Sequence, residues 1–247
     1  MSDVGAPESG RLEQILKGVD FFKPVATRRS FMQKLMLAGG AAAAGVAGLS
    51  RVLPSLAGGV SFPSAAVGAE RIGIAFYGNA IGIGSPWSAA GDPATSTLLN
   101  SSHRGYFQAA FNQETSHLAT LRSLGADFPA HTFKFPDGTF ATKASMLAMG
   151  AALESIFIGA YLGAVNNATS TGNAFIAEAA AQICGIECEH RVLINDIMGV
   201  SPPNDRFYEG NIGAPSNDLG NTGLRSKVYA SGDDAVTALV NLGIQAS

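Results

Sequence analysis

Cysteine, histidine and charge are all scarce in this chain, and each shortage excludes something. Its 247 residues hold only two Cys, Cys184 and Cys188, and only four His. Two thiols cannot supply the Cys-rich ligand sets of iron–sulfur clusters or structural zinc. They lie four apart on one expected helix, where disulfide torsions are hard to reach, so they read as small buried hydrophobes. Charged residues make up 14% of the chain and the net charge is −3. From Gly58 onward 9 Lys or Arg stand against 15 Asp or Glu, with no basic patch interleaved with aromatics, so nucleic acid is excluded as a partner. No Gly-x-Gly-x-x-Gly follows an expected strand, which removes a nucleotide loop as the reason for Gly73, Gly78 and Gly82. Mean hydropathy is positive (+0.19), but residues 31–60 inflate it, and it does not argue for a membrane protein. No repeat of fixed period is present.

Against that sparse background two Glu-x-x-His strings stand out, Glu114-Thr115-Ser116-His117 and Glu187-Cys188-Glu189-His190. Residues three apart share a helix face, about 60° apart around its axis. Here that face is otherwise apolar. The first stripe runs Phe107, Phe111, Glu114, His117, Leu118, Leu121, Leu124, and the second Ile176, Ala180, Ile183, Glu187, His190, Ile194, Ile197. A buried carboxylate must be neutralised by a partner, and a metal ion serves two such pairs most simply. A polar network without metal is the competing reading.

Two further glutamates sit in apolar helical runs. Glu154 lies in Leu147-Gly150-Ala151-Glu154-Phe157-Ile158-Tyr161, and Glu70 opens Glu70-Ile74-Tyr77-Ile81. Four helices would therefore contribute Glu, Glu-x-x-His, Glu, Glu-x-x-His, the ligand set of di-iron and di-manganese carboxylate bundles. Carboxylate oxygen with imidazole suits either metal. Glu178 and Glu189 fall on other faces and read as solvated. Tyr77 and Tyr161 each follow a glutamate by seven residues. Either could hydrogen-bond a ligand or relay an electron, and the plainer reading is a core aromatic with its hydroxyl satisfied. Asn195 and Asp196 could orient an imidazole, and His103 and His131 read as surface groups.

On these residues the chain resembles the ferritin-like superfamily, and more narrowly its exported branch, which includes the desiccation-related proteins. The likeness rests on Ala69 through Tyr77, Tyr106-Phe107-Gln108-Ala109-Ala110 leading into Glu114, Glu154 followed by Gly159 through Ala164, and Gly185 through His190. It implies an all-α, four-helix bundle. It also implies two iron or manganese ions bridged by Glu114 and Glu187, with Glu70 and Glu154 as terminal ligands and His117 and His190 completing each ion's shell. The activity implied is redox handling of peroxide, dioxygen or ferrous iron in stress protection. The alternative is a structural or binding protein of the desiccation-related kind, keeping the ligands without turnover. Cage-type iron storage ranks third, since a long irregular tail suits a cage poorly.

The N-terminus carries a separate signal. Thr27-Arg28-Arg29-Ser30-Phe31-Met32-Gln33-Lys34 resembles a twin-arginine export motif, and Leu35 to Leu49 follows as a weakly hydrophobic stretch. That stretch falls short of the ~20 residues that span a bilayer. Ser55-Leu56-Ala57 is the preferred cleavage site over Val67-Gly68-Ala69, which would leave Glu70 at a frayed end. Residues 1–57 are read as signal and linker, and 58–247 as the bundle domain, with its core at about 65–200 and a tail over 200–247. The expected destination is periplasmic or extracellular, with the export machinery as a transient partner. An uncleaved anchor and a homo-oligomer stay open.

Helices are expected over about 66–83, from Ser101 or Ser102 to Gly125, over Thr142–Ala168, over Gly172–Met198, and last over Ser231–Gly243. A small hairpin or lid is expected within Phe128–Phe140, because Asp137-Gly138 favours a tight turn. This segment serves as the long crossover of the bundle.

Overall fold

Serine, asparagine and threonine caps set where the helices begin in the computed structural model, which describes residues 59–89, 97–201, 203–204 and 228–246. All belong to one compact unit, Val46–Ser247. The twin-arginine string, the preferred cleavage site and most of the 200–230 tail lie outside the described residues.

Helix α1 (Phe62–Ala80) starts four residues earlier than expected, because Ser61 caps it and Pro63 sits in its first turn. The second candidate cleavage site, Val67-Gly68-Ala69, is buried inside this helix. Helix α2 (Ser101–Ser123) is capped by Asn100, whose side chain accepts from the His103 N–H at 2.8 Å, and not by Ser101 or Ser102. In α3 (Lys143–Ser170) Thr142 and Ser145 form a reciprocal capping box. Asn173 caps α4 (Ala174–Met198), which ends at Gly199 with φ 79°. Ser231 caps α5 (Gly232–Asn241).

The four long helices close a ring in the order α1, α2, α4, α3, and α5 lies against both α1 and α3. Two apolar clusters fix their directions. One holds Phe76 and Tyr77 of α1, Phe107 of α2, Met146 and Leu153 of α3, and Ile194 of α4. The other holds Phe62 and Val67 of α1, Leu118 and Leu121 of α2, Ile158 and Ala164 of α3, and Ala180 and Ile183 of α4. Thus α1 and α4 run from the second cluster towards the first, while α2 and α3 run the opposite way. The α2–α3 connection must then travel the length of the bundle. It does so, with Phe128 in the second cluster and Phe133, Phe135 and Phe140 in the first.

That crossover is not a hairpin. Its strand β1 (Phe133–Lys134) pairs antiparallel with β2 (Gln245–Ala246) at the far end of the chain. Ser88 also bridges to Phe133. The turn at Asp137-Gly138 is present, with Gly138 at φ 87°, but it leads into α3 rather than folding the segment on itself. Helix α3 is long and apolar enough to cross a membrane, yet most of it is packed inside the bundle and it carries Glu154 at mid-length.

Candidate metal centre

Between the two apolar clusters each helix of the ring places its acidic and imidazole side chains on the inner face. Glu70 of α1, Glu114 and His117 of α2, Glu154 of α3, and Glu187 and His190 of α4 are all buried. Glu114 and Glu187 are wholly inaccessible, at 0% exposure. The six donors form two groups, and in each group the donor atoms lie within 4.8 Å of one another. One group is Glu70, Glu114, His117 and Glu187; the other is Glu114, Glu154, Glu187 and His190. Glu114 and Glu187 belong to both.

Both imidazoles aim Nδ1 inward. His117 Nδ1 stands 3.2 Å from Glu187 Oε1 and 3.3 Å from Glu70 Oε2. His190 Nδ1 stands 3.1 Å from Glu114 Oε1 and 3.1 Å from Glu187 Oε2. Glu70 and Glu154 are held by a crossed pair of tyrosines. The Tyr77 hydroxyl of α1 donates to Glu154 Oε1 of α3, and the Tyr161 hydroxyl of α3 donates to Glu70 Oε1 of α1. Each tyrosine thus serves the glutamate of the facing helix. Two turns, about 11 Å along the axis, separate it from the glutamate of its own helix.

The remaining inward atoms lack hydrogen-bond partners. Glu70 Oε2, both Glu114 oxygens, Glu154 Oε2, Glu187 Oε1 and His117 Nδ1 are buried and unpartnered. Such orphaned polar atoms are costly, and so many converging on one point is the signature of a site built for cations. The donor set therefore fits bound metal.

The protonation balance follows from this crowding. Burial, with the neighbouring Glu187 and Glu70 carboxylates, pushes the Glu114 carboxyl well above its ordinary range. Burial likewise lifts Glu154, against the pull of His190. Burial alone would raise Glu187, but the facing His117 and His190 imidazoles outweigh it and bring the group to about 2. Burial works to lower His117, yet the Glu114, Glu187 and Glu70 carboxylates around its Nδ1 push it up to about 12. Burial and the adjoining Glu154 and Glu70 carboxylates raise the Tyr77 and Tyr161 phenols, which therefore remain protonated donors.

Two supporting residues were not visible in the sequence. Gln113 of α2 reaches across to α4, where its Oε1 accepts from His190 Nε2–H at 2.9 Å. Asn195 does not orient an imidazole, because its Nδ2 donates to the Pro203 carbonyl at 2.8 Å, and Asp196 is exposed. Gly73 is the second. A Cβ there would lie 3.0 Å from Glu114 Cδ and 3.1 Å from its Oε2, so the missing side chain leaves room for the Glu114 carboxylate that both groups share. Beside Glu70, the buried Arg71 guanidinium donates to the Phe128 and Pro129 carbonyls and lies 4.4 Å from the Trp87 ring centroid. It thereby fastens the start of the crossover to α1.

The other candidates are unremarkable. Glu178 and Glu189 are exposed as expected, whereas His103 and His131 are half-buried rather than open surface groups. The His103 ring lies 3.5 Å from Lys143 Nζ, and His131 packs edge-on against Phe128. Cys184 and Cys188 are free thiols, the first buried and the second half-buried.

No curated protein and no solved structure matches the chain. Residues 61–200, more than half of it, match a family model described as a ferritin-like domain. That span contains α1 to α4 and all six buried donors, and the chain belongs to the ferritin-like domain family.

Proposed function

We propose that the chain is an exported di-metal carboxylate protein that binds two iron or manganese ions and handles peroxide, dioxygen or ferrous iron. The observation that carries this reading is the pair of donor groups sharing Glu114 and Glu187, with most of their inward atoms unpartnered. Four ionised carboxylates and two neutral imidazoles balance the charge of two divalent ions. Hard oxygen donors with one imidazole per ion suit iron or manganese.

In this reading Glu114 and Glu187 would serve both ions, Glu70 and His117 would help hold one, and Glu154 and His190 the other. Two redox-active ions held there would supply two-electron chemistry on a small oxidant. The residues prepare the site for it. Tyr161 and Tyr77 each tie down one oxygen of a terminal glutamate and leave the other free to face an ion. The flanking apolar clusters limit water and strengthen the electrostatics within. The Arg28-Arg29 string supports export by a route that carries folded proteins, so that ions can be enclosed before the chain leaves the cytoplasm.

Elemental analysis of native protein, with peroxide and ferrous-oxidation assays on the same sample, tests the reading. About two metal equivalents per chain are expected. Glu114→Gln should lose both ions together, because the amide cannot bridge two cations. A Glu114→Gln protein that stays fully loaded would refute the bridging assignment.

A further inference from the structure

The two halves of the centre echo one another. Glu70 answers to Glu154, Tyr77 to Tyr161, Glu114 to Glu187 and His117 to His190. The echo fails at the residue before each shared glutamate, which is Gln113 in α2 and Ile186 in α4. Its consequence falls on the imidazoles. His190 has its outer nitrogen held by Gln113 at 2.9 Å, and its ring meets Tyr77 edge-on with centroids 5.5 Å apart. Its side chain is 2% exposed. His117 has no such acceptor at Nε2 among the described residues, and its side chain is 10% exposed.

An acceptor on the outer nitrogen of a ligating imidazole fixes the tautomer that leaves the inner nitrogen's lone pair free. It also fixes the ring plane and increases the ring's basicity. Gln113 Oε1 can only accept, so the proton must sit on His190 Nε2 and the lone pair on Nδ1 faces the ion. His117 must find its tautomer and orientation without that help.

We infer that Gln113 is a positioning residue that makes the two ion positions unequal. The Glu154–His190 position fills first and holds its ion, and the Glu70–His117 position exchanges its ion with the surroundings. This rests on the di-metal reading above and adds the order of filling to it.

Manganese titration of the metal-stripped full chain, followed by calorimetry and by the electron paramagnetic resonance signal of free Mn2+, tests it. The wild-type chain should bind in two steps whose affinities differ at least tenfold. Gln113→Leu should weaken the tight step by roughly 10–100-fold and leave the weak step in place, so that the two merge. Gln113→Glu keeps an acceptor at the same reach and should restore two separate steps, an outcome that a loss of packing would not give. Circular dichroism confirms that both variants are folded. Two equal steps in the wild type, or a Gln113→Leu variant that keeps its tight step, would overturn the inference and leave the di-metal reading standing. A wild-type chain that takes up no manganese would overturn both.

Discussion

Adding one methyl group at Gly73 separates the demands of the metal centre from those of the helix. Gly73 lies mid-helix in α1, where alanine is favoured over glycine by about 1 kcal/mol. Opposing this, the new Cβ would sit 3.0 Å from Glu114 Cδ and 3.2 Å from its Cγ. Carbon atoms prefer about 3.5–4.0 Å, so the carboxylate must retreat by roughly half an ångström. Without metal the end of the Glu114 side chain can swing, and the two effects nearly cancel. With metal it cannot, because ligand distances tolerate only about 0.2 Å. A displaced ligand should cost about 10–100-fold in affinity, or ~1.4–2.7 kcal/mol. At fixed manganese that lowers the Tm of the loaded protein by roughly 3–11 °C, at about 2–4 °C per kcal/mol for a domain of this size. Thermal unfolding of Gly73→Ala with and without manganese is the assay. The metal-free variant should melt at or slightly above the wild type, and the loaded variant well below it. A variant that keeps wild-type manganese affinity, or one whose metal-free form loses several degrees, would refute the reasoning.

Two further outcomes follow from the same geometry. Glu114 and Glu154 have raised pKa values in the metal-free protein, so their contribution is full below the ordinary carboxylate value and is lost as pH rises. The His117 contribution is full below about 6.5 and fades as pH rises towards about 12, while Glu187 adds stability above about 4.5 that disappears as pH falls to about 2. Above neutrality the metal-free fold therefore weakens with pH as metal binding, freed from proton competition, strengthens. The Tm gap between loaded and stripped protein should widen from pH 6 to pH 9, and a constant or shrinking gap in differential scanning calorimetry would contradict this. Tyr77→Phe should leave Glu154 Oε1 unpartnered, costing ~1–3 kcal/mol of metal-free stability in urea titration. It should also weaken the ion position that includes Glu154 more than the one that includes Glu70, and equal weakening of both would contradict the crossed pairing.

The six inward donors were legible because helical periodicity puts a carboxylate and an imidazole on a stripe that must be buried. That logic is local, and so it succeeded for Glu114–His117 and Glu187–His190 and for the extents of α3 and α4. It was weaker wherever a partner from another helix decides. Gln113 lies one residue off the ligand stripe of α2, and only the neighbouring position of α4 gives it His190 to hold. Tyr77 follows Glu70 by seven residues on one helix, but which glutamate it serves depends on the antiparallel course of α1 and α3. The β1–β2 pair joins segments more than a hundred residues apart, and no local turn signal could reveal it. The glycines of α1 include Gly73, whose absent side chain leaves room for the Glu114 carboxylate of another helix.

Helix α1 has 17 of its 19 residues buried, against α2, α3 and the terminal α5. It emerges from the ribosome ahead of all three, and α5 is the last of the three covering helices to be made. Synthesis therefore delivers a greasy, glycine-rich strip whose cover is completed only when α5 follows. A chain clipped ahead of Gly232 would bare the part of that strip that α5 covers and offer it to chaperones and proteases.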